Sequence, residues 1–218
     1  MTLDSAGTGG KTDATSWPGF RRLTGVTKPD YPIRTRRLTL RPFTPDDFAA
    51  LHSWQSRPDV VRYLYGEART PEETTGSLAL KASVTWPEKE GDHLALAVEK
   101  DGVVIGEAVL KWLSEAHRQG EVGYIFHPDH HGHGYATEAA AAMLDLGFTH
   151  LGLHRIVASC DAFNEPSWRV MERLGMRREA HFRHNEVFKG DWGEELIYAI
   201  LEDEWHRMAD SRWRGDGA

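Results

Sequence analysis

Cysteine is almost absent: Cys160 is the only one among 218 residues. An internal disulfide and any zinc site built on several thiolates are thereby excluded. Cys160 lies in the apolar stretch RIVASC, where a free thiol reads as a small buried core residue. Long apolar runs are missing too. Nothing approaches the roughly 18 residues of a membrane-spanning helix, and the first twenty positions lack the basic start and apolar middle of a secretory signal. The expectation is a soluble, cytoplasmic protein with no membrane partner. Basic charge is also short, with 26 Lys and Arg against 33 Asp and Glu and a formal net charge of −7. Neutralising phosphates takes clustered cations, so no nucleic-acid partner is expected, and an amine-bearing one suits the balance better.

Apolar residues make up 40% of the chain, enough to bury one sizeable core. Residues 1–30 are rich in Gly, Ser and Thr without periodicity and are expected to form a flexible tail, with a WPGF patch apolar enough to dock on the body. A single domain is expected over 31–209 and a short tail over 210–218. IRTRRLTLRPF alternates like a strand. Thr44 with Pro45, and Thr70 with Pro71, are helix starts, giving helices over DDFAALHSWQSR and EETTGSLALKASVTW with YLYG as a loop between. HLALAVEK and VVIGEAVLKW flank Asp-Gly, a strong hairpin signal. EVGYIFH reads as a strand, YATEAAAAMLDLGF as a helix, HRIVASCD as a strand and EPSWRVMERL as a helix closed by Gly175. A long hairpin and a short helix follow. The order βααβββαβαββ defines an α/β fold with a mixed sheet.

The stretch HPDHHGHGYATEAAAAM carries the chemistry. A strand leads through it into a helix whose first N–H groups have no intrahelical partner, and Gly132 and Gly134 let an anion approach the main chain. A dinucleotide fingerprint, G-x-G-x-x-G/A, is broken at Thr137. Zinc on His127, His130, His131 and His133 would lack the helical i, i+4 pairing and any neighbouring cysteine, so no metal is expected. With 12 histidines in the chain, surface His accounts for the cluster.

HGHGYA resembles the acyl-CoA diphosphate loop of the GNAT superfamily of N-acetyltransferases, Q/R-x-x-G-x-G/A, with His131, Gly134 and Ala136 at its marked positions and His131 departing from the usual Gln or Arg. The segments RPFTPDDFAALHSW, VIGEAVL and GEVGYIFHP and the block NEPSWRVMERLGMRREA resemble further parts of the family, and the TEA after the loop and the ending GDWGEELIYAILEDEW resemble its branch that acetylates ribosomal-protein N-termini, the RimJ/RimL type. The resemblance covers about Ile33 to Trp205. It implies a GNAT fold: a mixed, mostly antiparallel twisted sheet with splayed central strands and flanking helices.

It further implies acetyl-CoA as co-substrate, its pantetheine against the main chain of Ile125 and Phe126 and against Asn164, and its diphosphate on amides from Gly132, His133, Gly134, Tyr135, Ala136 and Thr137. Ser167 matches the serine that protonates the departing thiolate. Glu121 is the first candidate base, through water, and Glu107 the second. The acceptor is an amine, a protein N-terminus by the resemblance; a small amine such as an antibiotic or polyamine, or a non-catalytic acyl-CoA sensor, are the alternatives. Dimerisation is common in the branch. Trp54, Trp86, Tyr63, Tyr65 and Trp112 are candidate walls for the acceptor pocket, and His181 and His184 lie in the last hairpin.

Overall fold

The computed structural model describes residues 27–214, with side chains through Met208. Most of the expected first tail and the last four residues lie outside the described residues. Residues 27–30 lie on the body: Thr27 donates its N–H to the carbonyl of His150, and Lys28 reaches Thr85.

The first strand expected from IRTRRLTLRPF is two, β1 (Ile33–Arg34) and β2 (Thr39–Pro42), paired antiparallel. Thr35 makes the bend between them, bonding the carbonyl of Leu38 through both its N–H and its hydroxyl. A short 3-10 turn, Pro45–Asp47, leads into α1 (Phe48–Gln55). Helix α1 ends before Pro58, which occupies the first position of a further short helix, α2 (Pro58–Val61), where its missing N–H costs nothing. Helix α3 (Pro71–Ser83) starts at Thr70 with a reciprocal cap: Glu73 donates its N–H to the Thr70 hydroxyl and its carboxylate accepts from the Thr70 N–H.

Strands β3 (His93–Lys100) and β4 (Val103–Ser114) are joined by Asp101 and Gly102, both at positive φ, the two-residue turn that Asp-Gly signals. Then come β5 (Gln119–Phe126), α4 (Tyr135–Asp145) with a π turn at its end, β6 (Arg155–Asp161) and α5 (Glu165–Arg173). The hairpin of β7 (Arg177–Phe188) and β8 (Asp191–Leu201) is followed by α6 (Glu202–Arg214), which runs through most of the expected second tail.

The strands form one sheet in the order β1-β2-β3-β4-β5-β6-β8-β7. β3 is buried on both faces, and its alternation divides the core. Leu94, Leu96 and Val98 pack with Ala139, Ala140 and Met143 of α4, Val170 and Met171 of α5 and Trp205 of α6. Ala95 and Ala97 point the other way, onto Phe43, Leu51, Trp54 and Leu78 under α1 and α3.

All described pairings are antiparallel except β5 with β6, which is parallel and confined to three residue pairs, Gln119–Arg155, Gly120–Ile156 and Glu121–Val157. β5 continues to Phe126 and β6 to Asp161 without meeting again. The middle of the sheet therefore opens into a wedge, and the following turns, the His-Gly loop and Ala162 to Asn164, stand at its mouth.

Candidate active site

Three groups of residues converge on that wedge. The first is the start of α4. Gly134 caps it at φ 77, and Gly132 also sits at positive φ, at 78. Gly134 has no side chain with which to cap the helix, so the N–H groups of the first turn remain available to an anion. In the same turn the Thr137 hydroxyl oxygen is buried without a hydrogen-bond partner. A buried polar atom with no partner is unusual in a folded protein, and an acceptor-rich ligand at the helix start would satisfy it. These features fit a diphosphate.

The helix start is clamped from β1 and β2. Thr35 Oγ1 and Arg37 N each donate to Glu138 Oε1 at 2.7 Å, and Arg37 Nε donates to Glu138 Oε2 at 2.7 Å. Burial alone would push the Glu138 carboxyl up, but these bonds outweigh it and hold the group below the usual carboxylate range. Arg37 also donates Nη1 to the His133 carbonyl at 2.9 Å and lies over the Tyr135 ring, 4.8 Å from its centroid.

The histidines of the loop do not act as a group. His131 turns inward, its Nε2 2.9 Å from the Phe126 carbonyl, bracing the loop against the end of β5. His127 Nδ1 accepts from the Asp129 N–H at 3.3 Å, His130 stacks edgewise on His127, and His133 leans on Tyr135. Burial, then the neighbouring His127, hold His130 below the usual imidazole range. Among the described residues no three His, Cys, Asp or Glu are grouped as metal ligands.

The second group lies inside the wedge, where the first turn of α5 meets β5. Tyr124 OH donates to the Ser167 carbonyl at 2.8 Å and lies 3.3 Å from Ser167 Oγ. Burial pushes the Tyr124 phenol up, so it stays a neutral hydrogen-bonding group at any pH of interest. Cys160 Sγ is hydrogen-bonded to Ser167, and burial pushes that thiol up to about 11. A thiol so reluctant to ionise is a poor nucleophile. Ser167 is thus half-buried against Tyr124 and Cys160 rather than facing solvent. Asn164 is the first residue of this helix, yet its side chain makes no cap hydrogen bond; the helix start is closed instead by its carbonyl, which accepts from Ser167 and Trp168. The Asn164 carboxamide is left for another partner.

The third group covers the α1–α3 face. Glu121 Oε1 is 2.7 Å from Lys111 Nζ on the paired strand, and the carboxylate is about one quarter exposed. Glu107 is the opposite case, 1% exposed and 2.6 Å from Lys81 of α3. Its carboxylate is closed off from water. Glu195 of β8 has its carboxyl pushed up by burial and by the charges of Glu186 and Glu121, which places all three on one acidic patch. Glu186 accepts from Tyr65 OH at 2.5 Å, and Lys189 Nζ donates to the carbonyls of Val61 and Gly66. The β7–β8 tip is thereby strapped to the loop after α2.

Of the aromatics named as candidate walls for an acceptor pocket, Trp54 and Trp112 are core residues, 0% and 4% exposed, and Trp86 packs against the main core beside His150, the common fate of large aromatics. Tyr65 is exposed at the strap. His181 pairs with Glu194 at 2.7 Å and His184 stacks on Trp192, both on the hairpin. Arg37, Glu138 and Tyr124 were not singled out from the sequence. Their contacts bridge positions as much as 103 residues apart, which no local pattern reveals.

A sheet opened at one parallel seam, with an anion cradle at its mouth, is the frame of an acyl-CoA-dependent transferase, and the relatives agree. Residues 37–177 match the acetyltransferase (GNAT) domain model, and the chain belongs to that family. It is 36% identical over 177 residues to "Uncharacterized N-acetyltransferase YnaD" of Bacillus subtilis, covering 80% of this chain and 99% of that one. A GNAT-family acetyltransferase structure from Bacillus anthracis superposes with a TM-score of 0.72 at 34% identity, over 79% of this chain and 99% of its own. Spermidine N(1)-acetyltransferase of Escherichia coli is 26% identical over 166 residues, 76% of this chain and 87% of that one. The protein is an N-acetyltransferase with acetyl-CoA as donor.

Proposed function

We propose that the protein transfers the acetyl group of acetyl-CoA directly to a protein N-terminal α-amine, as RimJ/RimL-type enzymes do, in a ternary complex. In this reading pantetheine lies along the unpaired edge of β5 at Ile125 and Phe126 and meets Asn164, and the diphosphate rests on the loop and first turn from Gly132 to Thr137. His131 holds the loop to β5, while His133, Tyr135 and Ala136 contribute main chain. The amine nitrogen attacks the thioester carbonyl and its proton leaves through water to Glu121. As the carbon–sulfur bond breaks, Ser167 passes its proton to the departing thiolate and is reprotonated through water, which balances the proton taken up at Glu121.

The observation that carries the α-amine reading is the Glu121–Lys111 ion pair. A carboxylate already engaged by an ammonium and open to water is a modest base. An α-amine, with a pKa of about 7.7 to 8.0, needs no more, whereas an alkyl amine near 10.4 is almost wholly protonated at pH 7. A second reading, a small polycationic amine, draws on the patch of Glu121, Glu186 and Glu195. Thiol release from acetyl-CoA is to be measured against peptides beginning Ala, Ser or Met and against polyamines and aminoglycosides. Peptide-specific turnover, with kcat/KM levelling off near pH 8, is the expected result. Turnover confined to small amines, still rising above pH 9, would replace the first reading with the second, and acetyl-CoA binding without any turnover would leave a sensor.

A further inference from the structure

We infer that Arg37, from the bend between β1 and β2, supplies the positive charge for the CoA diphosphate that the loop itself lacks. The loop from Pro128 to Ala136 holds no Lys or Arg. Its one side chain at the position where the family carries Gln or Arg, His131, is spent on the Phe126 carbonyl. Backbone amides alone would then face a doubly charged ligand. Arg37 stands beside them. Its Nε is held by Glu138 and its Nη1 by the His133 carbonyl, which fixes the guanidinium plane against the Tyr135 ring. The remaining nitrogen, Nη2, has no hydrogen-bond partner among the described residues and lies 3.5 Å from where a Cβ on Gly134 would stand. It therefore borders the space that the glycine keeps open at the start of α4.

Guanidinium is suited to this because it is always charged and its fork is pre-set by the two bonds it already makes. Lys100, at the end of β3, is paired with Asp101, which leaves Arg37 as the cation at the loop. The role extends the clamp already described: one residue both braces the loop and meets the ligand.

Calorimetric titration of acetyl-CoA into the protein, without acceptor and at several KCl concentrations, tests this independently of which amine is acetylated. Arg37→Ala is expected to raise Kd tenfold or more and to flatten the dependence of affinity on salt, while Arg37→Lys keeps the salt dependence. Unchanged affinity in Arg37→Ala would overturn the inference. A raised Kd with the wild-type salt dependence would overturn it too, since Arg37 would then only prop the loop. If Arg37→Ala fails to fold, Arg37→Gln is read by the same two criteria.

Discussion

Ser167 makes its function readable at the level of single atoms. Its hydroxyl lies between a phenol that burial keeps neutral and a thiol that burial keeps protonated. Two neutral neighbours leave the serine proton free to move to a thiolate appearing in the wedge, and neither neighbour competes for the acyl group. Ser167→Ala should lower kcat by about a hundredfold, within the range for a lost general acid, with little change in the KM for acetyl-CoA. Tyr124→Phe should lower kcat by less, because it removes only the group that orients the hydroxyl. Steady-state kinetics with the preferred acceptor separates the two, and wild-type rates in Ser167→Ala would remove the serine from the reaction. The sequence pattern exposes Ser167 and Asn164 because they lie in one short block. Tyr124 stays hidden because its partner is 43 positions away.

Elements in this protein are set by local chemistry and joined by charged side chains. Helix starts at Thr70 and Asn164 and the Asp101-Gly102 turn are legible in the sequence, since capping and turn residues act within a few positions. The split of the first strand is not. Alternation in IRTRRLTLRPF satisfies a strand throughout, and only the side-chain bonds of Thr35 turn it back. Helix α3 is fastened to the sheet by Lys81 on the buried Glu107. Lys81→Met would leave that carboxylate uncompensated, and urea unfolding should show a loss of about 3 to 5 kcal/mol. Strands β6 and β7 are fastened by Arg155 on Glu179, which Arg177 of β7 also engages. Hydrogen bonding to Arg155, and then to Arg177 against the opposing effect of burial, holds the Glu179 carboxyl down at about 2 from the usual 4.5. A depressed carboxyl stabilises the fold above its ordinary pKa and loses that contribution as pH falls toward the folded value. The thermal midpoint of Glu179→Gln should accordingly lie below wild type at pH 7, with the gap closing between about pH 4.5 and pH 2.

Taken whole, the molecule places two differently charged regions on either side of one opening. The cradle at the start of α4 is lined by amides and Arg37, while the face under α1 and α3 presents Glu121, Glu186 and Glu195. A net charge of −7 says nothing of this separation: it points to a cationic partner, and only the glycine loop points to the anionic one. The seam between β5 and β6 has a further consequence. With three residue pairs it is narrower than every other join but that of β1 with β2, and beyond it the facing edges of both strands carry main-chain groups with no ladder on that side. Amide protons from Val122 to Phe126 and from Ala158 to Asp161 should therefore exchange with deuterium faster than those of β3 and β4, and acetyl-CoA should slow them selectively. With pantetheine placed as proposed, the donor would act as a missing length of strand, tying the two halves of the sheet together beyond Glu121 only while the protein is loaded with the group it is about to give away.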